Sequence, residues 1–558
     1  MTCAAEDTIL ADDATKRLGA VRLLLADEID RLAGEVTGCQ TGSLIGVPFP
    51  SVEARHWREH LPAGSDFKVE DLTARQSLPA AWAEVWGANP SAPLIYDVGA
   101  GTEARWITAG EFEERTRLAA ARLMGLGLQA GDRVLLCVGS SLDAVVAYVG
   151  VLRTGVLVGV PANASYTERE LAHIVSDVRP AAAVVDDPDR ARWVVDGSKE
   201  PLPVLSADLQ LVAGVSPAPV DLGGLDAPAT GDPALIAYTS GTTGAPKGAV
   251  LSHGNLLANS ESVGLTWRWE SEDRLVHALP IFHGHGLCVA LYTSLLRGSS
   301  VVLLPRFDPD AVLDACSNHA ATMFFGVPTM YHRLAASPRV GDLSRLRLAV
   351  SGSAPLAADL HGRIRTAGGV DVLERYGMTE TLMTISNPYD GERRPGTVGF
   401  GFPGVEVDVR DEEIMVRGPT IFSGYWERPA ATAEKFDGDW FRTGDLAVVD
   451  DGYVTIKGRD SDLIVSGGYN VYPTEVEDVL LTHPSVAEVA VTGTPSDEWG
   501  ETVTAWVVAD GHPPSREDLL AFASGLLAPY KRPRLVHFVD ALPRNAMGKI
   551  RRVDLRAP

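Results

Sequence analysis

Short apolar runs alternate with amphipathic stretches between about residues 72 and 458 of the chain. The run at residues 133–138, for example, precedes a helical spacing of apolar positions over residues 142–154. Similar runs occur at residues 181–185, 300–304, 323–325 and 346–350. Strands that alternate with helices in this way predict βαβ units in largely parallel sheets, with helices covering both faces. The pattern therefore predicts a large α/β domain over residues 73–458, built of stacked, mostly parallel sheets.

The pattern changes towards the C-terminal end of this region. Residues 404–417 mix apolar with charged positions, which predicts a half-exposed, antiparallel and β-barrel-like part of the large domain. After Arg459 the chain has a helical spacing of its own and two apolar runs typical of strands, at residues 486–491 and 503–508. Residues 459–558 are therefore predicted to form a separate, small α+β domain.

The first 72 residues are predicted to be an N-terminal extension that is partly helical. Residues 14–32 place apolar side chains at helical spacing, and a segment rich in Gly and Pro follows. Such a helix commonly packs on the main body or against a second copy of the chain. A catalytic role is not indicated, and a homo-oligomer is left open.

Charge and cysteine usage narrow the class of protein. The 558-residue chain has a net charge of −24, which disfavours nucleic acid or an anionic membrane as a general partner. Its five cysteines are scattered without C-x-x-C spacing, so neither a disulfide framework nor a zinc site is indicated. No apolar run approaches the roughly 18 residues of a membrane span, and the first residues are acidic where a signal peptide would be basic. The expected location is the cytoplasm, without integral membrane association.

Residues 238–248 combine four Ser/Thr hydroxyls, three glycines and one cation, Lys247, directly after a short apolar run. Glycines let backbone N–H groups turn towards an anion, hydroxyls add donors, and lysine adds a mobile positive charge. The stretch therefore predicts a cradle for a polyphosphate, although the Gly-x4-Gly-Lys-Ser/Thr spacing of the common P-loop is absent. A flexible linker is the alternative. It is disfavoured because an apolar strand at residues 249–251 and a helix start at Ser252 follow at once.

A second group of residues with nucleotide chemistry lies at residues 374–381. The ring of Tyr376 can lie on a purine, and the adjacent Gly377 would let the base approach the backbone. Glu380 beside Thr379 offers a carboxylate and a hydroxyl of the kind that bind Mg²⁺ near phosphates. A Tyr-Gly pair alone usually marks a turn, but its position downstream of the predicted cradle favours nucleotide binding.

Three further polar features have ordinary explanations when they are taken singly. Asp445 follows a glycine, where an aspartate most often caps a turn. Lys549 follows a glycine near the C-terminus, where a lysine is normally a solvated charge. His283 and His285 are spaced two apart, but a metal site is disfavoured because no third ligand accompanies them.

Taken together and in this order, these segments resemble the motifs of the adenylate-forming superfamily, which includes acyl-CoA synthetases, luciferases and the adenylation domains of peptide synthetases. The resemblance covers the chain from about residue 75 onward. It implies a two-step reaction, in which a carboxylate attacks the α-phosphate of ATP to give an acyl-adenylate and pyrophosphate, and a thiol then displaces AMP. It also implies that the small domain is mobile and rotates about Asp460 between the steps, which would withdraw Lys549.

The resemblance implies a role for each matching residue. Catalysis is assigned to Lys549, His283, Thr242 and Glu380, and Mg²⁺ to Glu380 and Thr242. The pantetheine arm of coenzyme A is assigned to Ser466, Gly467 and Gly468. ATP is assigned to Thr239, Ser240, Gly241, Thr242, Thr243, Gly244, Lys247, Ser353, Ala354, Glu374, Arg375, Tyr376, Gly377, Met378, Thr379, Asp445, Arg459 and Lys549.

The acid is the least determined part of this prediction. Five stretches look most like malonyl-CoA synthetases, at residues 279–287, 325–331, 351–355, 374–383 and 386–390. A dicarboxylate needs a cation for its distal carboxylate, because burying an unpaired charge is very unfavourable. The residues predicted to line the acid site are His283, His285, Arg297, Arg306, Gly326 and Met383.

Several alternatives stay open at this point. Either arginine, Arg297 or Arg306, could instead be a surface charge. The acid could be another short- or medium-chain carboxylate rather than malonate or methylmalonate. The thiol could belong to a separate carrier protein rather than to CoA. A catalytically silent nucleotide-binding scaffold is a different class again, and the intact Lys247, Glu380 and Lys549 argue against it.

Overall fold

The computed structural model describes residues 54–98, 104–214, 224–239, 246–496, 499–544 and 549–555. All of them fall within one compact unit, residues 52–558. The helix predicted at residues 14–32 lies outside the described residues, as do Ser240, Gly241, Thr242, Thr243 and Gly244 of the predicted phosphate cradle.

Strands β1 to β27 of the described residues are, in chain order, Pro93–Asp97, Arg105–Thr108, Arg133–Cys137, Val158–Pro161, Ala182–Val185, Val204–Leu205, Leu211–Ala213, Pro233–Tyr238, Gly248–Ser252, Arg274–His277, Ser300–Leu303, Met323–Gly326, Leu348–Ser351, Val372–Met378, Leu382–Ser386, Phe400–Gly401, Glu406–Arg410, Glu413–Arg417, Gly424–Tyr425, Phe436–Asp437, Trp440–Asp450, Tyr453–Arg459, Ile464–Ser466, Tyr469–Val471, Val486–Ser496, Gly500–Ala509 and Leu535–Phe538.

Helices α1 to α13 of the described residues are Leu78–Ala88, Ala109–Met124, Leu142–Arg153, Glu168–Val178, Pro188–Gly197, His253–Thr266, Tyr292–Arg297, Pro309–Asn318, Pro328–Ala335, Ala358–Gly368, Pro429–Ala433, Pro473–Leu481 and Arg516–Leu526. A π-helical turn, His285–Leu291, leads into α7. Short 3₁₀ turns are Trp57–His60, Val69–Thr73, Val340–Arg345, Asp460–Asp462, Pro529–Lys531 and Arg552–Asp554. Over the described residues, no helix combines the length and the apolar content that crossing a membrane requires.

A nine-stranded sheet has the order β16-β15-β14-β13-β12-β10-β11-β1-β2, and its six strands from β14 to β1 are parallel. Strands β11, β12 and β13 are buried along their whole length, which explains why they appear as continuous apolar runs in the sequence. In a parallel sheet all strands end at the same edge, so His277, Gly326 and Ser351 lie along one carboxyl edge. Ligands of open α/β sheets usually bind at that edge.

An eight-stranded sheet has the order β19-β9-β8-β4-β3-β5-β6-β7 and is parallel at its centre. Its antiparallel pair β8 and β9 flanks the predicted phosphate cradle, with Tyr238 opposite Gly248. The helix predicted to start at Ser252 is α6. Ser252 Oγ accepts from the backbone N–H of Asn255 at 3.1 Å, and the Asn255 amide oxygen accepts from that of Ser252 at 2.9 Å.

The main hydrophobic core contains buried side chains of both large sheets and of the helices α1 and α3, for example Trp82, Tyr148, Leu235 and Val301. A third sheet, β17-β18-β21-β20 with β22 beside β21, is antiparallel and contains the segments predicted at residues 404–417. Stacked, mostly parallel sheets with an antiparallel part therefore agree with the predicted fold class.

The fourth sheet, β24-β23-β26-β25 with β27 beside β26, is built entirely from residues after Arg459. Helices α12 and α13 contribute Val476, Leu480 and Leu519 to a separate apolar core on this sheet. This α+β arrangement is the one predicted for the C-terminal region. The domain boundaries at residues 72 and 459 stay predictions.

Candidate active site

The predicted phosphate cradle begins and ends on the hairpin that β8 and β9 form. Thr239 donates its backbone N–H to the Lys247 carbonyl at 2.9 Å, so the two ends of the cradle lie side by side. The Lys247 ammonium lies over the ring of Tyr425, 5.2 Å from its centroid. His173 Nε2 is 3.0 Å from the Pro246 carbonyl, which holds the end of the cradle against α4.

A carboxylate, a phenol and a guanidinium form the second part of the site. The Tyr376 hydroxyl donates to Asp445 Oδ2 at 2.6 Å, and Arg459 Nε contacts Asp445 Oδ1 at 3.0 Å. Asp445 is buried, and its backbone is held by Thr443 Oγ1, which accepts from the Asp445 N–H at 3.1 Å. β14, β21 and β22 thus bring together three residues that the sequence motifs predicted separately.

Glu380 is buried at the turn between β14 and β15, and its Oε1 accepts from the Tyr425 hydroxyl at 2.8 Å. Burial raises the pKa of this carboxyl above its ordinary value, and the Tyr425 hydrogen bond opposes that rise. Among the described residues, no three His, Cys, Asp or Glu side chains come together as a metal site. A single carboxylate still fits Mg²⁺, because this ion is usually held by one or two carboxylates together with substrate phosphates and water.

Lys549 lies in the same cleft, where the charges of Asp445, Arg459 and Arg375 act on it. Part of the Lys549 side chain stays exposed. The pKa of Lys549 is lowered, first by the loss of water around the ammonium and then by the positive charge of Arg459. Its charge also acts on His283. The lysine that follows β27 thus lies beside residues of the nine-stranded sheet and of the antiparallel third sheet.

His283 is placed as a neutral hydrogen-bond donor. Its Nδ1 accepts from the backbone N–H of His285 at 3.3 Å. Burial, and then the charges of Lys549 and Arg375, lower the pKa of His283 to about 3. The neutral ring with Nδ1 as an acceptor carries its proton on Nε2, which can donate to a carboxylate oxygen. The predicted contact of His283 with an acid stays a prediction, and this proton position is the one that it needs.

His285 is buried more deeply than His283. Its ring stacks on that of Phe325, with centroids 6.4 Å apart, and neither ring nitrogen has a hydrogen-bond partner among the described residues. Burial lowers its pKa well below the ordinary value, so this ring is neutral too. His285 is therefore an uncharged, buried neighbour of His283 and Arg375.

Arg375 has the most unusual environment in the cleft. Its side chain is buried, and its Nε and Nη2 have no hydrogen-bond partner among the described residues. Burial lowers its pKa from 12.5 to about 9. Its charge acts on His283 and His285, so the three side chains are neighbours. A buried guanidinium with unpaired N–H groups is costly unless an anion binds there, so this point of the cleft is suited to an anion.

Gly352 makes room for Arg375, because a Cβ atom at Gly352 would lie 2.3 Å from the Arg375 Cζ. The loop that follows contains Ser353, which adopts a positive φ of 71°, and the exposed Ala354. Glu374 is buried beneath this loop, and its Oε1 accepts from the Leu356 N–H at 2.9 Å. Glu374 therefore holds the loop in place, and burial raises its pKa to about 7.

The remaining residues of the 374–381 motif form the hairpin between β14 and β15. A Cβ atom at Gly377 would lie 2.0 Å from the Leu382 carbonyl oxygen, so glycine is required there. Met378 and Thr379 are partly buried at the turn, and Met383 is buried, with its N–H donating to Asn259 Oδ1 at 3.1 Å.

Gly326 ends β12 at the carboxyl edge of the sheet. A Cβ atom there would lie 2.9 Å from the ring of Phe324, so any larger residue would displace the aromatic side chains below the cleft. The predicted wall at Gly326 therefore lies at the edge where His283 follows β10.

The structure separates the two arginines proposed for a distal carboxylate. Arg297 ends α7 just before β11 begins, so it lies at the amino edge of the parallel sheet, opposite the edge that His283 follows. Its Nη2 is bound to Glu261 Oε2 at 2.8 Å. The prediction that Arg297 contacts the acid is therefore not supported. Arg306 follows β11 at the carboxyl edge and is exposed.

Ser466, Gly467 and Gly468 lie on the fourth sheet, at the turn between β23 and β24. Gly467 and Gly468 have φ values of 60° and 81°, the positive values that a two-residue hairpin turn requires. Gly467 donates its N–H to the Trp499 carbonyl at 2.8 Å, and Arg534 Cζ lies 3.9 Å from the centroid of the Trp499 ring. The turn thus presents backbone without side chains beside a guanidinium.

Sequence reasoning missed two features of the site. Tyr425 was not singled out, although it contacts both Lys247 and Glu380. Arg375 was assigned to ATP because it lies in the nucleotide motif, whereas the structure places it beside His283 and His285. Two adjacent charged residues, Glu374 and Arg375, inside a strand that is buried at these positions were the signal that could have drawn attention to the second feature.

Comparison with known proteins agrees with this geometry. The model of the AMP-binding enzyme family matches residues 82–426, and that of the AMP-binding enzyme C-terminal domain matches residues 475–549. The chain therefore belongs to the AMP-binding enzyme family. The predicted superfamily resemblance, the fold class and the enzyme class, an AMP-forming acid–thiol ligase, are thereby confirmed.

Three particular proteins illustrate the similarity. The mitochondrial malonate–CoA ligase ACSF3 of Mus musculus is 37% identical over 447 residues, which cover 71% of this chain and 77% of that protein. A feruloyl-CoA synthase of an Amycolatopsis species is 38% identical over 470 residues, with coverage of 81% and 93%. The crystal structure of ATP-bound MatB from Rhodopseudomonas palustris matches with a TM-score of 0.79 and 40% identity, covering 86% of this chain and 98% of that one.

Proposed function

We propose that this protein is an ATP-dependent malonate–CoA ligase that forms malonyl-CoA, AMP and pyrophosphate through a malonyl-adenylate. The observation that carries the proposal is the buried Arg375, whose Nε and Nη2 have no partner in the described part of the chain and lie beside the neutral His283. A dicarboxylate is the acid that needs both a neutral donor and a buried cation. Two relatives named above are a malonate–CoA ligase and MatB, whereas a third is a feruloyl-CoA synthase, so similarity alone does not choose the acid.

In the first step one carboxylate oxygen attacks the α-phosphorus of ATP, and pyrophosphate leaves. His283 Nε2–H would orient this carboxylate, while Lys549 and Lys247 would neutralise the negative charge of the phosphates. Tyr376 and Asp445 would bind the nucleoside, and Mg²⁺ held by Glu380 would supply further charge neutralisation. Positioning and charge neutralisation are the main demands of such a displacement.

Arg375, rather than Arg306, is proposed to bind the distal carboxylate. Arg375 is buried and has two donor nitrogens without a partner within the described ranges, whereas Arg306 is exposed to water. A guanidinium binds a carboxylate through two parallel N–H groups, and this interaction is strongest away from water. Acids that lack a second carboxylate would leave the buried charge of Arg375 unpaired. The site would therefore favour malonate or methylmalonate over propionate.

In the second step the CoA thiolate attacks the acyl carbon, AMP leaves, and the thiol proton passes to solvent. We propose that residues 459–558 rotate about Asp460 between the steps, so that the turn at Gly467 replaces Lys549 beside the adenylate. Glycines in that turn would let the pantetheine arm pass close to the backbone. The division at residue 459, a cytoplasmic location and a possible homo-oligomer belong to the same proposal.

The experiment is a pyrophosphate-release assay with malonate, methylmalonate, propionate, butyrate and ferulate, each with and without CoA. Malonate-dependent turnover that CoA accelerates is the expected result. Preference for a monocarboxylate would refute the proposed role of Arg375, but the proposed CoA ligase activity would stand. Turnover that CoA does not accelerate would favour a carrier-protein thiol, and silence with every acid would favour a nucleotide-binding scaffold.

A further inference from the structure

Tyr425 connects two parts of the proposed phosphate site that are far apart in the sequence. Its hydroxyl donates to Glu380 Oε1 at 2.8 Å. The ammonium of Lys247 lies 5.2 Å from the centroid of the same ring. One side chain thus contacts both the lysine of the phosphate cradle and the carboxylate proposed to hold Mg²⁺.

The backbone around Tyr425 is held on several sides. β19 pairs with β9, which places Tyr425 opposite Ala249, just after the cradle. The Tyr425 N–H donates to Thr432 Oγ1 at 2.9 Å. Three residues earlier, the Phe422 N–H donates to the Glu380 carbonyl at 2.8 Å. The backbone around Tyr425 is therefore held both by β9, which follows the cradle, and by the turn that contains Glu380. Only 8% of the surface of Tyr425 is exposed.

The two side-chain contacts have different physical effects. A buried carboxylate oxygen is costly without a hydrogen-bond donor, so the Tyr425 hydroxyl satisfies Oε1 of Glu380 and fixes the orientation of the carboxylate. An aromatic face attracts a cation, so the ring limits the positions available to the flexible Lys247 ammonium. Lysine and glutamate carry opposite charges. Without these contacts the two side chains would attract each other when the triphosphate is absent.

We propose that Tyr425 is a positioning residue for the adenylation step: it holds Lys247 and Glu380 apart and aimed at the magnesium–triphosphate complex. This inference rests on the proposed function. It adds that the strand Gly424–Tyr425, outside the motifs from which the function was predicted, sets the geometry of the phosphate site.

The test compares Tyr425→Phe, which removes only the hydroxyl, with Tyr425→Leu, which also removes the ring. Tyr453→Phe is a matched control. That hydroxyl donates to the Glu392 carbonyl at 2.9 Å, and Arg394 lies 4.1 Å from the ring centroid, so the same two kinds of contact occur outside the site.

We expect Tyr425→Phe to lower kcat/KM for MgATP in malonate-dependent pyrophosphate release by about tenfold to a hundredfold, the usual effect of leaving a buried acceptor unpaired. Tyr425→Leu should lower it by about threefold to tenfold more, through loss of the cation–π contact. Thioester formation from supplied malonyl-adenylate should stay within about twofold of wild type for both variants. Tyr453→Phe should resemble wild type in both half-reactions.

A double-mutant cycle separates positioning from general damage. Tyr425 and Glu380 are joined by the 2.8 Å hydrogen bond, so the effect of removing the hydroxyl should depend on the carboxylate. In a Glu380→Gln background, Tyr425→Phe should therefore lower kcat/KM for MgATP by less than about threefold. Thermal unfolding of each variant checks that the fold is kept.

Two results would overturn the inference. One is a Tyr425→Phe variant of wild-type thermal stability whose MgATP kinetics match those of Tyr453→Phe. The other is full additivity of Tyr425→Phe with Glu380→Gln. An inactive wild-type enzyme would instead refute the proposed function, so the two failures are distinguishable.

Discussion

Replacing Arg375 with methionine tests the assignment of the distal carboxylate. Methionine keeps an unbranched side chain beside Gly352 but removes the charge and the N–H donors. In wild type the burial of this guanidinium is unfavourable as long as no anion is bound. The substitution should therefore have opposite effects on the empty enzyme and on malonate turnover.

The magnitudes follow from the structure. The pKa of Arg375 falls from 12.5 to about 9 because burial disfavours the charged form. At 1.36 kcal/mol for each pKa unit, this corresponds to about 5 kcal/mol against the charged form in the empty site. Removing one partner of a buried ion pair costs about 3–5 kcal/mol. The kcat/KM for malonate should therefore fall by about 10² to 10⁴.

The assay is pyrophosphate release with malonate and with propionate, together with thermal unfolding of the enzyme without ligands. Propionate turnover should fall by less than about tenfold, because propionate has no second carboxylate to lose its partner. The melting temperature of the empty variant should equal or exceed that of wild type. Arg306→Met provides a comparison at an exposed position of the same sheet edge.

Equal losses for malonate and propionate would refute the reasoning, since Arg375 would then act on ATP or on the common carboxylate. A loss of malonate selectivity in Arg306→Met but not in Arg375→Met would move the assignment to Arg306. A marked drop in the stability of the empty Arg375→Met variant would show that the guanidinium is satisfied in the absence of an acid.

Three further predictions concern other parts of the site. Lys549→Ala should slow adenylation by about 10² to 10³, as for other lost electrostatic contacts to a transition state, yet spare thioester formation from supplied malonyl-adenylate; loss of both half-reactions would refute the hinge assignment. Asp445→Asn should raise KM for ATP about tenfold in steady-state kinetics, because Tyr376 and Arg459 lose an ionised partner; an unchanged KM would place the nucleoside elsewhere. Glu374 has a pKa raised from 4.5 to about 7, so the protein loses stability as pH rises from 4.5 through 7. Glu374→Gln keeps an acceptor for Leu356 and should be more stable than wild type at pH 8 by up to about 3 kcal/mol, with little difference at pH 4.5; parallel melting curves at both pH values would contradict this.

Much of the fold could be predicted from local pattern. The continuous apolar runs at β11, β12 and β13 identified parallel strands, because a strand covered on both faces has no polar side. The order of strands was not predictable in the same way. β1 pairs with β11 across about two hundred residues, and such pairing depends on long-range packing rather than on the residues of either strand.

The predictions for the site separate in a similar way. The contact of Tyr376 with Asp445 and the position of Arg459 agree with roles inferred from short motifs. Arg297 was proposed for the acid site because it closely follows the histidine motif in sequence. That prediction is not supported, because the helix after the histidines carries the chain to the opposite edge of the sheet. Tyr425 was missed because a Gly-Tyr pair in a two-residue strand has no chemical signal until its neighbours are known.

The chain alone determined which chemistry is available: hydroxyls, glycines and a lysine for phosphates, and a carboxylate for a metal ion. These properties are local, since they depend on residue type and short spacing. Only the tertiary structure decided which charges are removed from water. It placed Arg375 in a buried position beside neutral histidines, with Nε and Nη2 lacking a partner among the described residues, and it left Arg306 exposed. Burial rather than residue type therefore distinguishes the arginine that we propose as the anion site.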